Sequence, residues 1–189
     1  MSRLVIAAVT LLAAAIPSRG FAQTQVESQT GTTDRWQEFL DDTVRSPLWW
    51  MEIPAAGAID QATNEPEEWT GANGFAKRNA SDAVKVFSVE VIDHTLAAPM
   101  HQRVTYDRCA CSGFARFGHA ISRVFVAVDS RDGHLVANVP LWVSLAGTTT
   151  LANAWEPASY TAHDAAVSAA TGLAATAGIY LLKEFIRIN

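Results

Sequence analysis

Two cysteines and two histidines stand in a symmetric arrangement. Seven residues separate His101 from Cys109, one separates Cys109 from Cys111, and seven separate Cys111 from His119. Two thiolates and two imidazoles would suit tetrahedral zinc, although Cys-x-Cys is tighter than the usual spacing of such ligands. A disulfide between Cys109 and Cys111 is the other reading if the chain reaches an oxidising compartment, and two buried free thiols the third. A bridge over a single residue closes a small ring and is more reducible than a structural staple. Arg116, His119 and Arg123 fall at helical spacing and could grip an anionic group such as phosphate or carboxylate. The same stripe also reads as a solvated face, or as partners for Asp107 and Asp129. Asp129, Asp132 and His134 could be drawn as an acid/base or calcium group, but they lack the six or so oxygen ligands of a calcium loop and read as a turn.

No G-x-S-x-G elbow, H-E-x-x-H pair, phosphate loop or dinucleotide fingerprint occurs. No serine or histidine sits in a context that activates a nucleophile. The expectation is therefore a non-enzymatic chain with no cofactor, with a small-ligand or metal-binding module at Cys109, Cys111, His101 and His119 as the alternative.

The elements that must position these residues read as helices. Trp36, Phe39, Leu40 and Val44 recur at helical spacing behind a cap at Thr33 or Asp34, and Ser46-Pro47 ends that helix. From Pro54 to Asn79 the chain is rich in Gly, Pro, Asn and Glu, which predicts a long loop. Ser81 to Leu96 reads as a helix with Val84, Phe87, Val91 and Thr95 on one face, and Gly113 to Val128 as a second amphipathic helix. Asp129 to Gly133 is a turn.

Leu135 to Trp155 and Ala165 to Leu182 carry no formal charge. The second starts at a cap (Thr161, or His163-Asp164) and repeats Ala166, Ala170, Ala174 and Gly178 every four residues. Such a stripe lets two helix backbones approach closely. Insertion of this helix into lipid on its own is marginal, since Leu, Ile, Phe and Val contribute only about 0.3–0.6 kcal/mol each. Burial within the body is preferred over a membrane hairpin. The fold expected is mainly α: a small bundle of four or five helices, ending in a pair of small-residue-rich apolar helices that pack through that stripe.

The whole chain has 189 residues, 14 Lys and Arg against 19 Asp and Glu, a net charge of −5, and 49% hydrophobic against 17% charged residues. Disorder is excluded by the apolar content, a disulfide-dense scaffold by two cysteines, and nucleic acid as main partner by the acidic balance without a basic run. Residues 1–22 read as a secretory signal: Arg3, an apolar run Leu4–Ile16 too short to span a bilayer, the breaker Pro17, and Gly20-Phe21-Ala22 for cleavage. Residues 23–33 read as a flexible lead-in, and 34–189 as one helical domain with the loop at 54–79. The expected location is the periplasm or cell envelope.

The segments Arg116–Val126, Asp132-Gly133-His134, Trp155-x-Pro157 and Leu182-Lys183-Glu184-Phe185 resemble a group of small exported bacterial envelope proteins without assigned activity. The similarity covers roughly residues 100–189. In that group aromatic and basic residues tend to stand where this chain has Cys109 and Cys111, which argues against a cysteine function shared by all of them. The resemblance implies an envelope setting and a helical body, and it supplies no catalytic residues. The function expected is an exported envelope protein, associated with a membrane or a protein partner through its uncharged C-terminal helices.

Overall fold

Thr32–Asp42 is the first helix among the described residues, α1, and Phe39 anchors it. The Phe39 ring stacks on Trp36 at 5.3 Å and meets His94 edge-on at the same separation. The computed structural model describes residues 32–186, so the expected signal and most of the lead-in lie outside the described residues. Thr32 and Thr33, expected in the lead-in, already belong to α1.

The expected loop at 54–79 is not present. Ser46 caps a helix, α2, that runs from Pro47 to Thr63, and a second, α3, runs from Gly71 to Ala97. The glycine and proline signals were over-read. Pro54 sits inside α2, among alanines that favour helix, and gives up one backbone bond. Gly57 serves a close approach, because a Cβ there would lie 2.7 Å from the Asn79 side chain on α3. Only residues 64–70 form the turn, and Arg78 holds it. The Arg78 side chain is fully buried and donates to the carbonyls of Glu65 (2.7 Å) and Pro66 (2.8 Å) and to Gln61 Oε1 (2.8 Å). A guanidinium's five donors suit such a cage of carbonyls.

Gln102–Arg103 (β1), Val126–Asp129 (β2) and Leu135–Ala137 (β3) form a small antiparallel sheet in the order β1-β2-β3. The helix expected over Gly113–Val128 is shorter than its pattern. Helix α4 covers Phe114–Ser122, and the β-branched run that follows turns into β2, where Ala127 and Asp129 alternate with half-buried valines. Val139–Leu151 forms α5, a 3₁₀ turn spans Ala152–Ala154, and Ala162–Phe185 forms α6. Thr161 and Asp164 make a reciprocal capping box at the start of α6.

The body is mainly α, with six helices among the described residues where four or five were expected. One buried apolar cluster is formed by Val124, Leu141 and Leu145, against which Val89, Phe125, Ala169, Leu173, Ala177 and Tyr180 pack, and Phe39, Leu48 and Trp49 are buried elsewhere in the body. Helices α5 and α6 do pack together, and Gly172 lets them approach, since a Cβ there would meet Leu145 Cδ2 at 2.6 Å. The contact, however, is not the stripe read from the sequence. Ala166, Ala170 and Ala174 are exposed, and nothing lies within 4 Å of a Cβ built at Gly178. The contact face is one residue round the helix, because Leu141 and Leu145 find Ala169, Leu173 and Ala177 there.

Burial is inverted along α3, while α2 buries Leu48 and Trp49 yet also leaves large apolar side chains outside. On α3 the exposed positions from residue 80 to 95 are Ala80, Val84, Phe87, Val91 and Thr95, while Arg78, Ser81, Asp82 and Asp93 are buried. On α2, Trp50, Met51 and Ile59 are more than half exposed, while Glu52 and Asp60 are half-buried. Soluble helices normally do the reverse.

Candidate functional site

The most connected polar centre lies where α4, the loop after β1 and the end of α6 meet. Glu184, in the last turn of α6, is fully buried. Its Oε2 accepts from the Tyr106 hydroxyl (2.6 Å) and the Cys109 amide (3.1 Å), and its Oε1 accepts from Arg116 Nε (2.8 Å). A second Arg116 nitrogen donates to the Glu184 carbonyl. Tyr106 stacks on Tyr180 at 4.6 Å, and Arg116 lies over the Phe185 ring. Burial alone would raise the Glu184 carboxyl, but the Tyr106 hydroxyl, Arg116 and the Cys109 amide outweigh it and hold the group below its ordinary value. A charged carboxylate with three donors is the form this pocket selects.

Tyr106 has one hydroxyl proton, and the acceptor-only carboxylate takes it. The 3.1 Å contact between the Tyr106 oxygen and His119 Nδ1 therefore needs the imidazole to donate from Nδ1. Burial and then the Arg123 charge push His119 below its ordinary value, so a neutral imidazole fits this role. Burial pushes Tyr106 upward, and so does its bond to Glu184.

The residues expected to bind an anion thus separate. Arg116 and His119 converge on the protein's own Glu184, which occupies the position an external anion would take. Arg123 is buried apart from them, donating to the Val126 carbonyl at 3.2 Å. Its own carbonyl accepts from Asn138.

The zinc arrangement is not assembled either. Cys109 and Cys111 are joined to each other as a disulfide, which removes both thiolates. His101 lies at the far end of β1, where its carbonyl accepts from the Ser130 amide. Among the described residues, no group of three or more His, Cys, Asp or Glu side chains is placed to hold a metal ion. Asp129 and Asp132 serve the turn: Asp129 chelates Arg131, which holds its carboxyl down at about 2, and Asp132 accepts from the His134 amide at 3.0 Å.

A second polar centre was missed entirely. Glu156, almost wholly buried after α5, accepts from Ser81 (2.5 Å) and pairs with Lys85 (2.8 Å) on α3, and Trp155 Nε1 donates to Ser81 at 2.9 Å. Asp82 beside it is pushed up to about 7 by burial and by Asp60. Further along the bundle, burial and the neighbouring Asp42 push Glu90 up to about 8 and Asp93 to about 7. Lys183 on α6 reaches Asp42 at 3.3 Å. Two of these residues were within sight: Glu184 and Glu156 lie in the quoted segments Leu182–Phe185 and Trp155-x-Pro157. A lone acid gives no local signal of burial, however.

The chain matches no family model, no curated protein and no solved structure. The resemblance to small exported proteins therefore rests on the quoted segments alone.

Proposed function

We propose that the chain is an exported, non-enzymatic envelope protein whose helical body works by lying against a membrane. The observation that carries this reading is the exposed apolar surface: α3 turns Val84, Phe87 and Val91 outward while Arg78, Asp82 and Asp93 are buried, and Trp50, Met51 and Ile59 on α2 and Val167, Leu182 and Phe185 on α6 are exposed as well. Exposed apolar patches of this extent mark contact with lipid or protein. The Glu184 centre pairs its carboxylate oxygens with donors of the chain itself, which suits structural cohesion in a setting where outer faces are greasy, whereas Glu156 Oε2 and Asp82 Oδ2 in the second centre are buried without a partner.

Among the described residues, α6 is long and apolar enough to cross a membrane by length and composition, and almost none of its most apolar stretch is buried. Its C-terminal end is tied into the body through Lys183 and Glu184, which favours contact along the helix over threading. Export rests on residues 1–22. Flotation of the mature chain with liposomes tests the reading: co-migration with vesicles in the absence of detergent supports it. A monomer that stays with the soluble fraction defeats it.

A protein partner is the second reading. A cavity of about 400 Å3 between the end of α5 and the start of α6, lined by Ala146, Thr149, Thr150, Ala165, Ala166 and Ala169, has the small side chains that admit a close-packed helix. Stable co-purification with one envelope protein, abolished by Ala166→Trp, would favour it.

A further inference from the structure

The Cys109–Cys111 bridge has little to staple. A cross-link stabilises mainly by closing a loop, and its effect grows with loop length, whereas this one encloses a single residue. The surrounding backbone is already fastened to the end of α6 without it. The Tyr106 hydroxyl and the Cys109 amide are on Glu184, and Arg108 donates to the Ile186 carbonyl at 2.6 Å. Opening the S–S bond would leave all of these in place.

The bridge is also reachable. Both cysteines are partly exposed, and Arg108, Ala110, Ser112 and Gly113 around them are exposed. Exposed, small-loop disulfides are the labile, exchangeable ones. Three residues beyond Cys111, Phe114 stands 84% exposed and stacks on the half-exposed Phe117 with ring centroids 5.5 Å apart. Among the described residues, little covers Phe114, and Phe117 is partly covered.

We infer that Cys109–Cys111 is a thiol–disulfide exchange site for cysteine-containing polypeptide segments with apolar side chains, which rest on Phe114 and Phe117 while they react. A thiolate of the segment attacks Cys111 Sγ, forming a mixed disulfide and breaking the Cys109–Cys111 bond. Cys109 Sγ leaves as thiolate, and the Cys111 amide, already 3.1 Å from that sulfur, donates to it. A second thiolate of the segment then attacks its own half of the mixed disulfide, and Cys111 leaves. The segment loses two electrons and two protons and gains a disulfide, while Cys109 and Cys111 end as thiols. Regeneration requires another disulfide compound, such as oxidised glutathione. The inference does not depend on membrane contact.

The test uses the full mature chain. Native protein is equilibrated with graded ratios of reduced and oxidised glutathione, and thiols are counted by maleimide mass shift alongside circular dichroism. The expected result is reduction of the bridge in the folded chain with the helical signal unchanged. A bridge that stays oxidised at every ratio until denaturant is added, or helices that melt on its reduction, would make it a staple and overturn the inference. Two dithiol peptides of equal length, one with flanking Leu and Phe and one with Gly and Ser, are then compared as reductants. The apolar peptide should react about tenfold faster, the gain expected of one aromatic contact of ~1.4 kcal/mol. The Phe114→Ala/Phe117→Ala double variant should lose that preference. Equal rates for the two peptides on the unmodified chain, or a preference that survives in the double variant, would overturn the substrate assignment. With oxidised glutathione as the disulfide donor, Cys109→Ser should form a mixed disulfide through Cys111 faster than Cys111→Ser forms one through Cys109, the microscopic reverse of the assigned attack; the opposite ranking would overturn the assigned order.

Discussion

Glu184 takes three side-chain and backbone donors on one carboxylate while wholly screened from water, so its loss leaves several groups stranded together. Glu184→Ala strands the Tyr106 hydroxyl and the Cys109 amide and leaves Arg116 without its counter-charge. Removing one partner of a buried pair costs about 3 kcal/mol, and urea unfolding followed by circular dichroism should show a loss of that order. Glu184→Gln keeps an acceptor but loses the charge, and should fall between. The half of this centre that is local in sequence was legible: Arg116, His119 and the cysteine pair drew notice through spacing. Its organiser was not, because Glu184 is 68 residues from Arg116 and only the tertiary fold brings them together. The same reason hid Glu156, whose partners Ser81 and Lys85 sit on α3.

At the level of the helix, existence was easier to read than orientation. Helical spacing located α1, although it begins at Thr32, ahead of the expected cap at Thr33 or Asp34, and ends at Asp42, before Ser46-Pro47; the expected cap at Thr161 does start α6, in a capping box with Asp164. Thr161→Ala should cost about 1 kcal/mol, measured as a fall in the thermal midpoint. The faces were a different matter. Periodicity identifies a stripe, but it does not say which stripe meets the neighbour, and on α3 the apolar one points outward. For α6 a pair of substitutions separates the candidates. Gly172→Leu drives a branched side chain into Leu145 and should destabilise by about 1–3 kcal/mol, whereas Ala174→Leu on the exposed stripe should stay within roughly 0.5 kcal/mol. The reverse ranking in denaturant midpoints would return the contact to the stripe at 166, 170, 174 and 178. Helix α2 was lost to punctuation: Pro54 and Gly57 look like loop residues until the close packing of Gly57 against Asn79 is known.

Taken as one body, the chain collects carboxyls in its interior. Asp82, Asp93 and Glu90 all have folded values raised to about 7 or 8 by burial first and then by neighbouring acids. A raised folded value contributes stability that is complete below the unfolded value near 4 and is lost as pH climbs through 7 to 8. His94 and His119 act in the opposite sense, since burial lowers both and their contribution fades as pH falls below the free-imidazole range. Maximum stability is thus expected on the mildly acidic side of neutral. Thermal unfolding at pH 6.5 should occur well above that at pH 9, and a flat or rising midpoint over that interval would contradict the inward carboxyls.

Those same groups make renaturation a proton-consuming event. An extended chain at neutral pH carries these acids ionised, and on collapse part of them must draw hydrogen ions from the medium. Refolding in phosphate and in Tris, whose heats of ionisation differ, should give calorimetric enthalpies that diverge in proportion to the uptake, while an unbuffered sample drifts alkaline as it regains its helices.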